Sequence, residues 1–166
     1  RRERMAAKTN TLKVTLPSDT TIQLVREFDA PRRLVWKAMA DPELVKQWWG
    51  PHGTTLTVKE MDFRVGGAWS FISRDADGAE HPFKGVYREI AEPERIVQTW
   101  RYDAPPFDQY ESLEAMTLTE RDGRTTLTTL VTHETKEARD GHVQSGMEGG
   151  AAETFDRLEA LLATLA

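Results

Sequence analysis

The stretch that most limits how this chain can fold is Val143–Leu165. Apolar residues recur at Val143, Met147, Ala151, Phe155, Leu158, Leu162 and Leu165. Steps of three and four residues place them on one stripe of a helix. Glu148, Glu153, Asp156, Arg157 and Glu159 fall mostly off that stripe and face water. The second half of the run is rich in Leu and anchors firmly. The first half carries Gly146, Gly149 and Gly150, each costing about 1 kcal/mol of helix propensity relative to Ala. A helix with three such residues has been given room on that side, either for a neighbouring backbone packed close or for a ligand.

The apolar stripe needs a surface to cover, and the chain before it supplies a sheet. From Thr54 to Thr132 apolar and polar residues alternate, which predicts strands near 54–63, 68–74, 82–91, 95–102, 112–120 and 124–132. The segments between them are Val65-Gly66-Gly67, Asp75-Ala76-Asp77-Gly78, Glu92-Pro93-Glu94, the Pro-rich Asp103–Gln109 and Arg121-Asp122-Gly123. Asp-Gly between alternating runs is a hairpin signal, and consecutive hairpins make an antiparallel meander. Upstream, Leu12, Val14 and Leu16 alternate, Pro17-Ser18-Asp19 interrupts, and Ile22, Leu24 and Phe28 resume. Two more strands are expected there, about 11–16 and 20–28.

Two short helices follow. Pro31 suits a first helical position, with Leu34, Val35, Ala38 and Met39 facing inward. Asp41-Pro42-Glu43 restarts a helix with a cap, a first-turn proline and an acid at the positive end of the dipole. Gly50-Pro51 ends it after Trp48-Trp49. Helices of this length are not stable alone in water and must dock on the sheet. His133–Gly141 reads as a polar lead-in to the last helix. The pattern is therefore α+β: a curved antiparallel sheet wrapped around one long C-terminal helix, with two short helices closing an end.

Composition removes several function classes. The 22 basic and 27 acidic residues leave a net charge of −5, with no basic run beyond Arg1–Arg4. Nucleic acid and anionic membrane are poor partners for such a surface. The absence of cysteine excludes disulfides and thiolate chemistry and suits a reducing cytoplasm. No apolar run approaches the roughly 20 residues of a membrane span. Arg1–Asn10 is polar and is expected to be disordered, with Met5 the natural start and Arg1–Arg4 an appended remnant. One domain is expected over 11–166.

Several short motifs, taken in order, resemble one family. They are Phe28-Asp29-Ala30-Pro31 with Leu34-Val35-Trp36, Asp41-Pro42-Glu43-Leu44, Trp48-Trp49-Gly50-Pro51, Glu60-Met61-Asp62, Gly66-Gly67-Ala68-Trp69, Phe83-Lys84-Gly85-Val86-Tyr87, Pro93-Glu94-Arg95-Ile96 and the Gly146–Leu162 helix. Together they resemble the branch of the START/SRPBCC superfamily named for the C-terminal domain of the activator of the 90-kDa heat-shock protein ATPase. The resemblance implies the helix-grip fold and an apolar cavity between sheet and long helix. It does not assign a function, because the superfamily spans lipid carriers, natural-product binders, cyclases and co-chaperone domains.

The aromatic residues are the candidates for a site. Trp69 and Phe71 share a strand face, as do Phe83 and Tyr87, and Trp100 and Tyr102. Facing inward, these rings meet the glycine-bearing half of the last helix, and either fill the core or line a hollow suited to a flat, mostly apolar molecule. Met116, Met147 and Phe155 complete the wall, with Trp48 at the short helices. Adjacent Trp48 and Trp49 point about 100° apart on a helix, so one packs beneath the helices and the other lies near the mouth. Asp103–Phe107 is either a lid tipped by Phe107 or an idle loop.

The histidines His52, His81, His133 and His142 form no metal-binding spacing, and no serine elbow or phosphate loop is present. No cofactor and no metal is implied. The leading expectation is a cytoplasmic protein, monomeric or weakly dimeric, that binds a small hydrophobic molecule and neither nucleic acid nor membrane. The alternatives are a co-chaperone acting on the 90-kDa heat-shock protein, and a cyclase- or hydrolase-type enzyme on an aromatic or polyketide-like substrate. An enzyme needs a polar group of shifted pKa in the cavity, for which Tyr87, Tyr102 and Glu60 are the first candidates.

Overall fold

The computed structural model describes residues 10–166. The expected disordered start therefore lies outside the described residues, except for Asn10. Its carboxamide donates to Glu159 Oε1 (2.7 Å) and accepts from Arg124 (2.7 Å). The described residues form β1 (Lys13–Thr15), β2 (Thr21–Phe28), α1 (Arg32–Ala40), α2 (Pro42–Trp48), β3 (Thr55–Met61), β4 (Ala68–Arg74), β5 (Glu80–Ala91), β6 (Arg95–Tyr102), β7 (Ser112–Arg121), β8 (Arg124–Thr132), α3 (Lys136–Gln144) and α4 (Met147–Leu165).

The strands make one antiparallel sheet in the order β1-β2-β8-β7-β6-β5-β4-β3. The β3–β8 run is the expected meander, and β2 closes against β8 so that Phe28 pairs with Thr125. Register shifts at Val58/Glu60 in β3 and Tyr87/Glu89 in β5 are bulges, which bend a sheet and raise its twist. The concave face receives Leu158, Leu161 and Leu162 of α4, buried with Phe28, Val35, Ala38, Leu118 and Leu127. This is the helix-grip fold.

Asp41 caps α2 by accepting from Glu43 N (2.9 Å), with Pro42 in the first turn. Pro31 sits one place earlier than expected, as the N-cap of α1.

The last helix is broken. Gly146 adopts φ 88°, a left-handed conformation that side chains disfavour, and it separates α3 from α4. The stretch expected as a polar lead-in is largely α3, which starts where Thr135 Oγ1 accepts from Ala138 N (3.1 Å). Val143, expected on the buried stripe, belongs to α3 and is 36% exposed.

Two arginines bind α4 to the rest. Arg26, on the inner face of β2 and only 3% exposed, pairs with Asp156 (2.9 Å) and Glu159 (3.1 Å). Arg157 donates to the carbonyls of Gln47 (3.2 Å), Gly50 (2.9 Å) and Pro51 (3.0 Å) and to Thr54 Oγ1 (3.2 Å). Together with Glu153, which accepts from His52 N (3.0 Å), it fixes the segment after α2 over the helix.

Candidate functional site

The sheet and α4 do not meet along their whole length. Where the helix starts, a cavity of about 250 Å³ remains between them. Its wall includes Trp48, Trp69, Phe71, Tyr87, Trp100, Met116, Met147 and Phe155, eight of the ten residues expected there. Phe83 stands instead in an adjoining outer space of about 460 Å³. The two spaces share Trp49, Trp100, Met147, Ala151 and Thr154, so the outer one is a vestibule to the inner. Tyr102 lines neither space; its hydroxyl lies 3.0 Å from His81 Nδ1, and Asp75 Oδ2 lies 3.0 Å from His81 Nε2.

The rings are positioned by strand register. Trp69 lies opposite Gly85 in the β4–β5 pair, and its indole covers that glycine. A Cβ at Gly85 would strike both the indole and the Thr99 carbonyl. The Trp48 indole donates to Ala38 O (2.9 Å), tying α2 to α1. Trp49 turns the other way, edge-on to Phe71 (5.2 Å) and Phe83 (5.1 Å), and lines both spaces. Trp49 is thus the ring at the mouth.

The glycines of α4 have a clear reading here. A Cβ at Gly149 or Gly150 would meet nothing within 4 Å. Close packing of a neighbouring backbone is excluded as their reason, and Gly150 opens onto the vestibule. Phe107 does not act on either space. It is 57% exposed and packs edge-on to Tyr102, while Arg101 holds its loop by donating to Asp108 O.

The polar floor of the cavity escaped the sequence reading. Gln98 and Glu114 are direct partners across β6 and β7. Gln98 Nε2 donates to Glu114 Oε1 (3.1 Å). The second carboxyl oxygen has no hydrogen-bond partner among the described residues, and the partly buried side chain borders the hollow. That burial pushes the Glu114 carboxyl up to about 7, and the Gln98 hydrogen bond only partly opposes it. Alternation alone places Glu114 beside Met116, and Gln98 beside Trp100, on the inner faces of their strands.

His142 of α3 also reaches the cavity, its ring parallel to Trp100 at 5.8 Å. Its Nδ1 lies 2.9 Å from His133 Nε2. Burial, and then the nearby His133, push His142 down to about 4, so the imidazole is neutral. Tyr87 is pushed upward, by burial first and then by Asp62. The Trp69 indole N–H, in a residue 2% exposed, is buried without a hydrogen-bond partner.

Of the groups first expected to do chemistry, Tyr87 alone lines the cavity. Glu60 is exposed and borders a groove on the outer face of the sheet. It is removed from the site by the β3 bulge and its outward register. Among the described residues, no group of three or more His, Asp or Glu side chains is placed to hold a metal ion.

The sequence of residues 29–163 matches the family model described as Activator of Hsp90 ATPase homolog 1-like protein. The fold is similar to a solution structure of a protein from Arthrobacter aurescens (TM-score 0.85, 25% identity, 92% of this chain and 91% of that chain covered). It is also similar to crystal structures of protein Ms6760 from Mycobacterium smegmatis (TM-score 0.82, 28% identity, 92% and 96% covered) and of a protein from Rhodobacter sphaeroides (TM-score 0.84, 24% identity, 93% and 99% covered). No curated protein matches the sequence.

Proposed function

The chain belongs to the activator of Hsp90 ATPase homolog 1-like family of the START/SRPBCC superfamily, and from that premise we propose that it binds a small aromatic or hydrophobic molecule between its sheet and last helix. The observation that carries this reading is the ring-lined cavity of about 250 Å³ with its vestibule at Gly150. Rigid rings on the sheet and an open stretch of helix hold the space apart, and a few polar groups converge on it, as in small-molecule sites generally. An engineered apolar cavity of about 150 Å³ takes benzene, so this one suits one or two fused rings.

The co-chaperone reading rests on the family's name, and an interior hollow favours the ligand. The cysteine-free composition supports a reducing cytoplasm. No helix among the described residues is long and apolar enough to cross a membrane, and the net charge of −5 disfavours nucleic acid and anionic membrane as partners. Glu114 favours one second reading, a proton-transfer enzyme, because a carboxyl titrating near neutrality in a cavity is poised as acid or base. Thermal denaturation against a panel of one- and two-ring aromatics tests the binding reading. A ligand at about 100 times its Kd adds roughly 2.7 kcal/mol, and a panel without any stabilising member would refute it.

A further inference from the structure

Glu114 is a partly buried carboxyl on the cavity wall with one neutral hydrogen-bond partner, Gln98, and a second oxygen without a hydrogen bond among the described residues. Buried charges in proteins are normally paired, and a buried carboxyl without a cation stays protonated instead. The cavity itself offers no cation. No Lys or Arg lines it, and its other titratable groups are Tyr87 on β5 and His142 on α3, both neutral at neutral pH, with His133 behind His142. The lining supplied by α1, α2, α4, β2, β4 and β8 is without charge.

The cavity that Glu114 borders is also lined by the rings of Trp48, Trp49, Trp69, Phe71, Tyr87 and Trp100. Aromatic faces attract cations, most strongly where water is excluded. A hydrocarbon occupant would leave the open oxygen of Glu114 unsatisfied, and an anionic one would meet a carboxyl that can only repel it or stay protonated.

We propose that the occupant of the cavity is an aromatic ammonium ion of one or two rings, with the Glu114 carboxylate as its counter-ion. The inference rests on the cavity being a ligand site, as proposed above. Folding has already removed part of the water from the carboxyl, so binding completes its desolvation along with that of the amine, offset by the ion pair and the rings. Below pH 7 the incoming cation displaces the Glu114 proton, so affinity rises with pH up to about 7 and then levels. The negative chain, at −5, also draws cations from solution.

The test is calorimetric titration with three probes of matched shape: 1-naphthylmethylammonium, 1-methylnaphthalene and 1-naphthylacetate. In the native protein the ammonium probe binds tightest. Its affinity rises about tenfold between about pH 6 and about pH 8, and buffers of different ionisation heat show release of roughly one proton per ligand at pH 6. Glu114→Gln abolishes that pH dependence and the preference for the cation while 1-methylnaphthalene binds as before. Should the variant not fold, the buffer dependence of the native protein decides alone. Equal or tighter binding of the hydrocarbon or the anion overturns this inference and leaves the cavity reading standing. If none of the three binds, this inference falls, and the cavity reading is decided separately by the panel of one- and two-ring aromatics.

Discussion

Replacing Glu114 by Gln changes how stability depends on pH, and the direction is fixed by the site. The carboxyl is raised from 4.5 to about 7 in the folded protein. The folded state therefore holds a proton that the unfolded state has lost across pH 4.5–7. Its contribution to stability is fully present below about pH 4.5 and is lost as pH rises through 7. At about 1.36 kcal/mol per unit, the ceiling on that loss is about 3 kcal/mol.

His142 works in the opposite sense. It is lowered from 6.5 to about 4, so its contribution is present above pH 6.5 and is lost as pH falls towards 4, with a ceiling again of about 3 kcal/mol. His133, lowered by burial, adds to the same side. The carboxyls of Asp75 and Asp140 are held below the usual carboxylate range, by His81 and by Lys136 with Arg139, and act below this window. The native protein thus combines two slopes of opposite sign between pH 4.5 and 6.5, and its stability changes little there. Glu114→Gln removes one slope and exposes the other, so the variant loses up to about 3 kcal/mol on acidification from pH 6.5 to 4. Relative to native protein it is about 3 kcal/mol more stable at pH 8 than at pH 4.5. Urea denaturation followed by tryptophan fluorescence at several pH values measures this directly. Parallel curves for the two proteins across pH 4.5–7 would refute the assignment of a protonated Glu114 on the cavity wall.

Four further predictions follow from the packing. Gly149→Ala gains up to about 1 kcal/mol in denaturant melts, because helix propensity improves and the added carbon meets nothing; Gly150→Leu is expected to fold equally well but to obstruct ligand entry, seen as lost thermal stabilisation by any binder. Gly85→Ala costs about 2–3 kcal/mol and shifts tryptophan emission, because the new carbon strikes the Trp69 indole and a strand carbonyl. Arg157→Met costs about 1–2 kcal/mol through its lost hydrogen bonds to Gln47, Gly50 and Pro51, and hydrogen exchange speeds up selectively across residues 49–54.

What the sequence showed clearly was whatever followed hydrophobic periodicity. The alternation from Thr54 to Thr132 gave the meander, and the inward rings of Trp69, Phe71, Tyr87 and Trp100 followed from it. What stayed hidden was polar and inward. Arg26 holds an inner position of β2 between Leu24 and Phe28, yet reads as a solvated charge until its partners on α4 are seen. Helix α3 has little apolar periodicity because its buried anchor is Arg139, which donates to Ser18 O (2.6 Å) and Thr21 O (3.1 Å). With α3 unseen, His142 had no place near the rings. Glu114 was missed because a carboxylate on a strand is ordinarily exposed, although its alternation with Met116 pointed inward. The polar floor of the cavity is therefore the part that breaks the rule by which the fold was read.

The most direct check on the account is a methyl NMR titration. Met39, Met61, Met116 and Met147 all line the hollow, from four different elements, and Trp48, Trp49, Trp69 and Trp100 provide strong ring-current shifts. Titration with 1-naphthylmethylammonium is predicted to move the methyl signals of all four methionines along one saturable curve. Signals that stay in place while the probe binds elsewhere, or that move without saturating, would contradict an interior binding site.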